Sequence, residues 1–231
     1  MSKIAEIYDI ILIDYVFWRC SVKSQIKSKD RVSNHGEVFT SEREVNNMLD
    51  LVHDQTLRPD STFLEPACGD GNFLIEILKR KLEVINIYKK SQIDYEKWCF
   101  VCVSSLYGVD ILIDNVIDCR KRLYDYTIKI YEDIFKKKSK KEFENVLEYI
   151  FEKNILHGDA LTLLKSDGTP IKFSEWKFML GSKVKRRDYY LSELLEPSTQ
   201  TINDANKIAK LSEPIKEFPA VHYMKVGELD V

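Results

Sequence analysis

The sequence predicts an α/β fold built around a parallel sheet, and three observations lead to that prediction. An apolar, β-prone run at residues 62–64 leads into a turn that contains Gly69 and Gly71. Acidic residues, Asp110 and Asp159, end or follow two later short apolar runs. The turn is also followed by apolar residues at helical spacing: Leu74, Ile77 and Leu78. A strand, a glycine loop and a helix in this order open a nucleotide-binding α/β unit.

The two glycines suit a tight turn where a ligand approaches the backbone, because glycine has no Cβ atom. A helix that begins directly after such a turn points unpaired backbone N–H groups at the ligand. The loop is not G-x-G-x-x-G, and it lacks the Lys-Ser/Thr pair of a phosphate-binding P-loop. A similar loop in some other α/β fold is the alternative interpretation.

The full amino-acid sequence of the loop is more informative than its two glycines alone. Residues 63–73 read F-L-E-P-A-C-G-D-G-N-F. Acidic-Pro-Ala-Cys-Gly-x-Gly resembles motif I of the S-adenosylmethionine (SAM)-dependent DNA adenine methyltransferases of restriction–modification systems. This resemblance covers residues 34–164 and implies a Rossmann-like class I SAM-dependent methyltransferase fold, with helices on both faces of the sheet. It also implies SAM as cofactor and direct methyl transfer to an adenine amine without a metal.

A loop and a capped helix precede the first strand. Ser41 and Glu44 form a predicted capping box, in which each side chain binds a backbone N–H of the first turn. The preceding residues Gly-Glu-Val-Phe-Thr resemble motif X of the same family, a loop that closes over the methionine end of SAM. Phe39 and Thr40 are therefore expected at the cofactor, although serine follows them where the family usually has proline.

Two acidic residues resemble further cofactor ligands of the family. Asp110 ends the predicted strand 106–110, where a carboxylate can accept hydrogen bonds from both ribose hydroxyls. Ile111 would pack on the adenine face, and Asp159 resembles the residue that binds the adenine amine. The alternative for Asp110 is an N-cap of the next helix. The resemblance assigns SAM to Phe39, Thr40, Glu65, Ala67, Gly69, Gly71, Asp110, Ile111, Asp159 and Ala160.

The family's catalytic motif is not found. That motif, Asn/Asp/Ser-Pro-Pro-aromatic after the fourth strand, holds the target amine and stacks on the flipped base. The chain has six prolines, and no two are adjacent. The nearest candidate is Ser174-Glu175-Trp176, so Ser174 and Trp176 are weak catalytic candidates and the catalytic residues stay unknown. No apolar fourth strand follows Asp159, which predicts a sheet reduced on the catalytic side.

A basic stretch with neighbouring tyrosines is the candidate DNA contact. It contains Lys183, Lys185, Arg186 and Arg187, followed by Tyr189 and Tyr190. The alternative is a solvated charged loop. The net charge of −2 provides no overall basic field, so contact with DNA must come from such a patch or from a partner.

The sequence predicts three segments: a helical or linker extension at 1–33, a SAM-binding domain at 34–195, and a polar tail at 196–231 with a strand at 220–226. The ending resembles that of short restriction–modification methylase subunits, which implies a complete chain and a second methyltransferase or restriction subunit as partner.

Five cysteines without framework spacing favour a cytoplasmic protein. The apolar run 10–18 is too short to span a membrane.

Three hypotheses about function remain open at this stage. The first is a SAM-dependent DNA adenine methyltransferase, complete only with a partner chain. The second is a non-catalytic partner subunit of a DNA-modifying complex, either binding SAM or having lost that ability. The third is a methyltransferase that acts on RNA or protein.

Overall fold

The structure is a computed structural model that describes residue 31 and residues 40–179, 181–195 and 213–230. Two 3-10 helices, Ile85–Tyr88 and Tyr223–Asp230, accompany the regular elements. Those elements are α1 (Glu42–Asp50), α2 (His53–Thr56), β1 (Phe63–Glu65), α3 (Asn72–Val84), α4 (Gln92–Ser104), β2 (Leu106–Asp110), α5 (Ile113–Phe135), α6 (Lys141–Asn154), β3 (Ile155–His157), β4 (Lys172–Phe178), β5 (Lys183–Tyr190), α7 (Leu191–Leu195), β6 (Lys216–Glu217) and β7 (Val221–His222).

A parallel sheet of three strands confirms the predicted α/β class. Its strand order is β1-β2-β3, with Phe63 paired with Leu106 and Gly108 paired with Ile155. Since the strands are parallel, the residues that follow β1, β2 and β3 all lie at one edge of the sheet. The glycine loop, Asp110 and Asp159 therefore share that edge, as the sequence predicts.

Local sequence signals explain several helix boundaries. Helix α1 begins with the predicted capping box: the Glu44 amide donates to Ser41 Oγ, and the Glu44 carboxylate accepts from the Ser41 amide. Helix α4 begins where Ser91 Oγ accepts from the Asp94 amide at 3.3 Å. The helix predicted after the glycine loop is α3, which a 3-10 turn at Ile85–Tyr88 follows. Within the described ranges, no helix is both long and apolar enough to cross a membrane.

The two faces of the parallel sheet are covered by different layers. Phe63, Leu106 and Ile155 belong to the main core, together with buried residues from helices α3 to α6. Because side chains alternate along a strand, their neighbours Tyr107 and Val109 point to the other face. There they pack with residues of the β4–β5 hairpin and its surroundings: Ile171, Phe173, Tyr189 and Leu191. The expected layer of helices on this second face is thus mainly a hairpin.

The second sheet is antiparallel and incorporates the end of the chain. Strand β4 pairs with β5, and the two-residue strands β6 and β7 also pair with β5. No fourth parallel strand follows β3 within the residues that the structure describes. Tyr223 and Val226 are buried in the main core. The described part of segment 196–231 therefore packs on the same core as the rest of the domain.

A buried guanidinium joins the second sheet to helix α6 and to the chain end. Arg186 on β5 is 2% exposed, and its Nε and Nη2 atoms donate to the two carboxylate oxygens of Asp188 at 2.8 and 2.9 Å. Its Nη1 atom donates to Tyr149 Oη on α6 and to Asp230 Oδ1. The Phe218 ring lies 4.2 Å from the guanidinium carbon. The charge is therefore balanced inside the protein rather than offered to solvent.

Replacing this guanidinium should strongly destabilise the fold. Arg186→Met leaves Asp188, which is fully buried, without its bidentate partner. We expect a loss of about 3–5 kcal/mol in the free energy of unfolding, the usual cost of breaking one side of a buried ion pair. Urea denaturation measures it. Lys183→Met, at an exposed position earlier on the same strand, is the matched control and should change stability by less than about 0.5 kcal/mol. Equal stability of both variants would contradict the structural role.

The same network predicts a dependence of stability on pH. Burial opposes the charge of Asp230, but hydrogen bonds from Lys153 and Tyr149 and the charge of Arg186 lower its pKa from 3.8 to about 2. A folded-state pKa below the unfolded value stabilises the fold above pH 3.8, and this contribution is lost as the pH falls through about 2. Asp230→Asn should therefore lower the thermal midpoint at pH 7 and match the wild type near pH 2. Asp133→Asn, at an exposed carboxylate, is the control. A difference that persists unchanged at pH 2 would exclude this carboxylate as its source.

A candidate ligand site at the glycine loop

The loop between β1 and α3 is held against the neighbouring strand by backbone hydrogen bonds. The Cys68 amide donates to the Val109 carbonyl at 2.9 Å, and the Gly71 amide donates back to the Cys68 carbonyl at 2.8 Å. Gly69 and Gly71 have φ values of 53° and 91°, in the left-handed region that favours glycine. The loop therefore crosses from the end of β1 toward the end of β2 in one fixed conformation.

The structure gives Gly71 a packing role as well as a conformational one. A Cβ atom at Gly71 would lie 2.8 Å from Cys119 Sγ on helix α5. The loop approaches α5 so closely that no side chain fits between them. The sequence suggests room for a ligand as the reason for this glycine, whereas the close neighbour in the structure is a buried thiol. The hydrogen bond to Cys119 and burial raise the pKa of Cys68 well above its usual value, which leaves Cys68 a neutral core thiol.

Asp110 is the centre of the site. It is 8% exposed, and its Oδ2 atom accepts from the Gly69 amide at 2.8 Å. Its Oδ1 atom accepts from the Leu112 amide at 2.9 Å and from Asn115 Nδ2 at 3.2 Å. Three of the four acceptor positions of the carboxylate are thus occupied by the protein. Asp110 anchors the loop and the entry to α5, and as far as the described residues go, one acceptor position remains on Oδ2.

The other predicted acid lies beside Asp110. The Gly158 amide donates to the Asp110 carbonyl at 3.0 Å, so the turn after β3 is tied to the end of β2. Asp159 follows directly, and a hydrogen bond from the Leu161 amide to its Oδ1 atom lowers its pKa. The Asp159 carboxylate is therefore ionised at neutral pH. Ala160 packs on the cluster behind the second face of the sheet.

Three elements meet where helix α3 begins. Asn72, the first residue of α3, donates from its side-chain Nδ2 atom to the Thr40 carbonyl at 3.2 Å, which brings Thr40 to the loop as predicted. Phe39 lies outside the described residues. Arg122 on α5 donates to Asn72 Oδ1 at 2.6 Å, and Glu65 Oε1 accepts from the amide of Ala67 at 3.3 Å. Sequence reasoning missed Asn72 and Arg122, because nothing local links residues fifty positions apart.

Large aliphatic side chains are exposed at the same edge of the sheet. Ile111, directly after Asp110, is 52% exposed, and Leu161, two residues after Asp159, is 95% exposed. Ile113 and Ile117 at the start of α5 are also half exposed. Exposed apolar side chains beside a loop of fixed conformation are a common feature of ligand sites, since they can cover a flat base. Only Ile111 is predicted from the sequence; Ile113, Ile117 and Leu161 are additions from the structure.

The weak catalytic candidates, Ser174 and Trp176, lie on β4, away from the glycine loop, and their polar atoms already bind other residues. Ser174 is 2% exposed; its hydroxyl donates to Asp188 Oδ1 at 2.8 Å and accepts from Arg186 Nε at 3.0 Å. Trp176 donates from Nε1 to Asn154 Oδ1 at 3.0 Å. Both belong to the second sheet, where they serve packing and hydrogen bonding. Their geometry gives no support to a catalytic role, because a substrate amine has no access to the buried Ser174 hydroxyl.

The basic stretch does not form the expected phosphate-contact surface. Arg186 is buried, while Arg187 Nε and Lys185 Nζ each lie within 2.7 Å of a Glu217 carboxylate oxygen. Of the four basic residues, Lys183 is exposed and makes no ion pair within the described residues. The alternation of the β5 strand turns Arg186 inward and lets β6 neutralise its neighbours, so a patch that looks basic in the sequence is largely balanced in the fold.

The residues at the glycine loop fit SAM in part. Ile111 offers an apolar surface for a base, Asp159 an ionised acceptor for an amine, and Asp110 one acceptor position instead of two for a ribose. Comparison with protein-family models, curated proteins and solved structures finds no match to this chain. The chemistry of these residues and the sequence motifs are what bear on function.

Substituting Gly71 tests whether packing against α5 requires a glycine. Gly71→Ala should destabilise the fold by about 2 kcal/mol more than Gly168→Ala, because overpacking against Cys119 adds to the strain of a positive φ. Gly168 is the matched control, with a φ of 79° and open space within 4 Å of the position that a Cβ atom would take. Denaturant unfolding measures both.

A double-mutant cycle identifies the clashing partner. In the background of Cys119→Ala, the Gly71→Ala substitution should cost no more than Gly168→Ala costs in the wild type. If the cost of Gly71→Ala is the same with and without the thiol, Cys119 does not determine the residue at position 71.

Proposed function

We propose that this chain binds SAM at the glycine loop and acts as the SAM-binding subunit of a DNA adenine methyltransferase of restriction–modification type. The observation that carries the proposal is the bond from the Gly69 amide to the Asp110 carboxylate, at the edge where parallel strands end. This bond ties the motif I-like loop to the Asp110 carboxylate, and a second bond, from the Gly158 amide to the Asp110 carbonyl, adds the turn of Asp159. Open α/β sheets bind nucleotides in this position.

Each residue of the site has a distinct task in this proposal. Ile111 packs on the adenine ring, and Asp159 accepts from the adenine amine. Asp110 accepts from one ribose hydroxyl with its remaining lone pair, while the fixed loop backbone of Ala67 and Gly69 approaches the rest of the cofactor. Bound SAM supplies an activated methyl group on a sulfonium sulfur. The chain's own contribution is to bind and orient it.

The target amine needs acceptors and a stacking surface that the described residues do not offer at the loop. The Pro-Pro-aromatic motif is missing from the sequence, and Ser174 is buried in the second sheet. We therefore propose that a second methyltransferase or restriction subunit contributes the catalytic motif and most of the DNA contact. The balanced charges of Lys185 and Arg187 favour the same division of tasks.

A second candidate function is a partner subunit that has lost SAM binding and retains the scaffold. The occupied acceptor positions of Asp110 favour it, because a ribose diol finds one free position rather than two. A role as an RNA or protein methyltransferase has no specific observation in its favour.

Calorimetric titration with SAM distinguishes these candidates. The wild type should bind, and Ile111→Ser should weaken the affinity about tenfold, corresponding to about 1.4 kcal/mol of lost apolar contact. Ile111 is half exposed, so this change should leave stability unaltered. Asp159→Ala should also weaken binding. The matched control is Ile87→Ser, at an isoleucine that is 74% exposed and lies between α3 and α4.

The outcomes separate cleanly. A folded wild type that gives no heat at millimolar SAM would refute the proposal and favour the scaffold that has lost SAM. Equal weakening by Ile111→Ser and Ile87→Ser would place the cofactor away from Asp110. Asp110→Ala is a poor choice here, because it removes the anchor of the loop along with any ligand contact.

A further inference from the structure

The buried side-chain amide of Asn115 lies between Asp110 and Arg31. Asn115, in the first turn of α5, is 1% exposed. Its Nδ2 atom donates to Asp110 Oδ1 at 3.2 Å, and its Oδ1 atom accepts from Arg31 Nη2 at 3.2 Å. Because one end of the amide donates and the other accepts, these two contacts define which way the side chain points.

Arg31 is itself held in one orientation. Its Nη1 atom donates to Asp114 Oδ2, and its Nη2 atom donates to Asp114 Oδ1 at 3.2 Å, a paired contact of guanidinium and carboxylate. Such two-point contacts fix the plane of the guanidinium as well as its position. The Nη2 atom that contacts Asp114 is also the donor to Asn115, so the acidic residue aims Arg31 at the amide.

The far end of this chain of contacts is the glycine loop. Asp110 uses Oδ1 for Asn115 and Leu112, and Oδ2 for the Gly69 amide. Rotation of the carboxylate would break contacts on both oxygens together. A network of buried polar groups in which every member has its partner is rigid, whereas removing one member loosens the others.

We infer that Asn115 and Arg31 are positioning residues that hold the Asp110 carboxylate, and through it the Gly69 amide, in the conformation that receives the ligand. The inference deepens the proposed function and rests on it only for the identity of that ligand. It also connects Arg31 with the site, although Arg31 precedes Asp114 by 83 residues. Neither residue touches the ligand in this scheme; both act through Asp110.

Amide hydrogen exchange measured by NMR tests the inference without any ligand. In Asn115→Leu and in Arg31→Met, the Gly69 amide should exchange at least about tenfold faster than in the wild type, because local opening controls exchange. The Cys68 amide, which donates to the Val109 carbonyl, should change much less and serves as the internal reference. Lys121→Met, an exposed change on the same helix, is the control variant.

An isosteric variant separates hydrogen bonding from packing. Asn115→Asp keeps the size of the side chain and an acceptor for Arg31, and when ionised it replaces the donor to Asp110 with a second negative charge. Gly69 exchange should rise as it does in Asn115→Leu. Wild-type exchange of the Gly69 amide in Asn115→Leu, which has no donor, would show that the donor is not needed, and equal acceleration of the Cys68 and Gly69 amides in all variants would show general loosening. Either result overturns the inference.

Titration with SAM measures whether the same variants change the affinity for the proposed ligand. Asn115→Asp and Arg31→Met should weaken SAM binding severalfold while Lys121→Met binds like the wild type. If the wild type itself does not bind SAM, the proposed function fails, yet the exchange measurement still decides the positioning role. If SAM binds and Gly69 exchange is unchanged in every variant, the positioning role fails and the proposed function stands.

Discussion

The arrangement of the sheet edge where β1, β2 and β3 end depends on one buried carboxylate, that of Asp110. A carboxylate that is 8% exposed must be compensated by donors, since an uncompensated buried charge is very costly. Here the compensation comes from the Gly69 amide, the Leu112 amide and Asn115. Loop, strand and helix are thus tied at the point where the sheet ends. The group that motif comparison assigns to the ribose is, before any ligand arrives, the anchor of the loop.

This double role constrains the chemistry. An anchor must keep its protein donors in the liganded state, so a ligand can use only the remaining position on Oδ2. Affinity must then come from other groups: the exposed Ile111, the ionised Asp159 and the loop backbone. The site is suited to a molecule with a flat apolar ring and polar substituents.

Local sequence signals predicted the elements of the parallel sheet and the capped helix before it, whereas the second sheet and the contacts between distant residues were not predicted. The Ser41–Glu44 capping box and the bounds of β2 at Leu106–Asp110 follow from residues within a few positions of one another. Cys119 lies against Gly71 although it is far away in the sequence, and Arg31 reaches Asn115 across 84 positions. No periodicity or motif marks such pairs, because they are selected by packing in the finished fold. Along β5, by contrast, Arg186 and Asp188 are two residues apart and share a face, so their pairing was open to prediction from strand periodicity.

The buried polar groups of the second sheet stabilise the fold and are not accessible to a substrate. Arg186, Asp188 and Ser174 are at most 2% exposed and bind one another, so none of them can meet a substrate. Accessible acceptor groups do lie at the carboxyl ends of the parallel strands, around Asp159 and the glycine loop. In the proposed function this edge presents the cofactor, whereas the Pro-Pro-aromatic motif that grips a target amine is missing from the sequence. This is the physical reason for placing the second half of the active site in a partner.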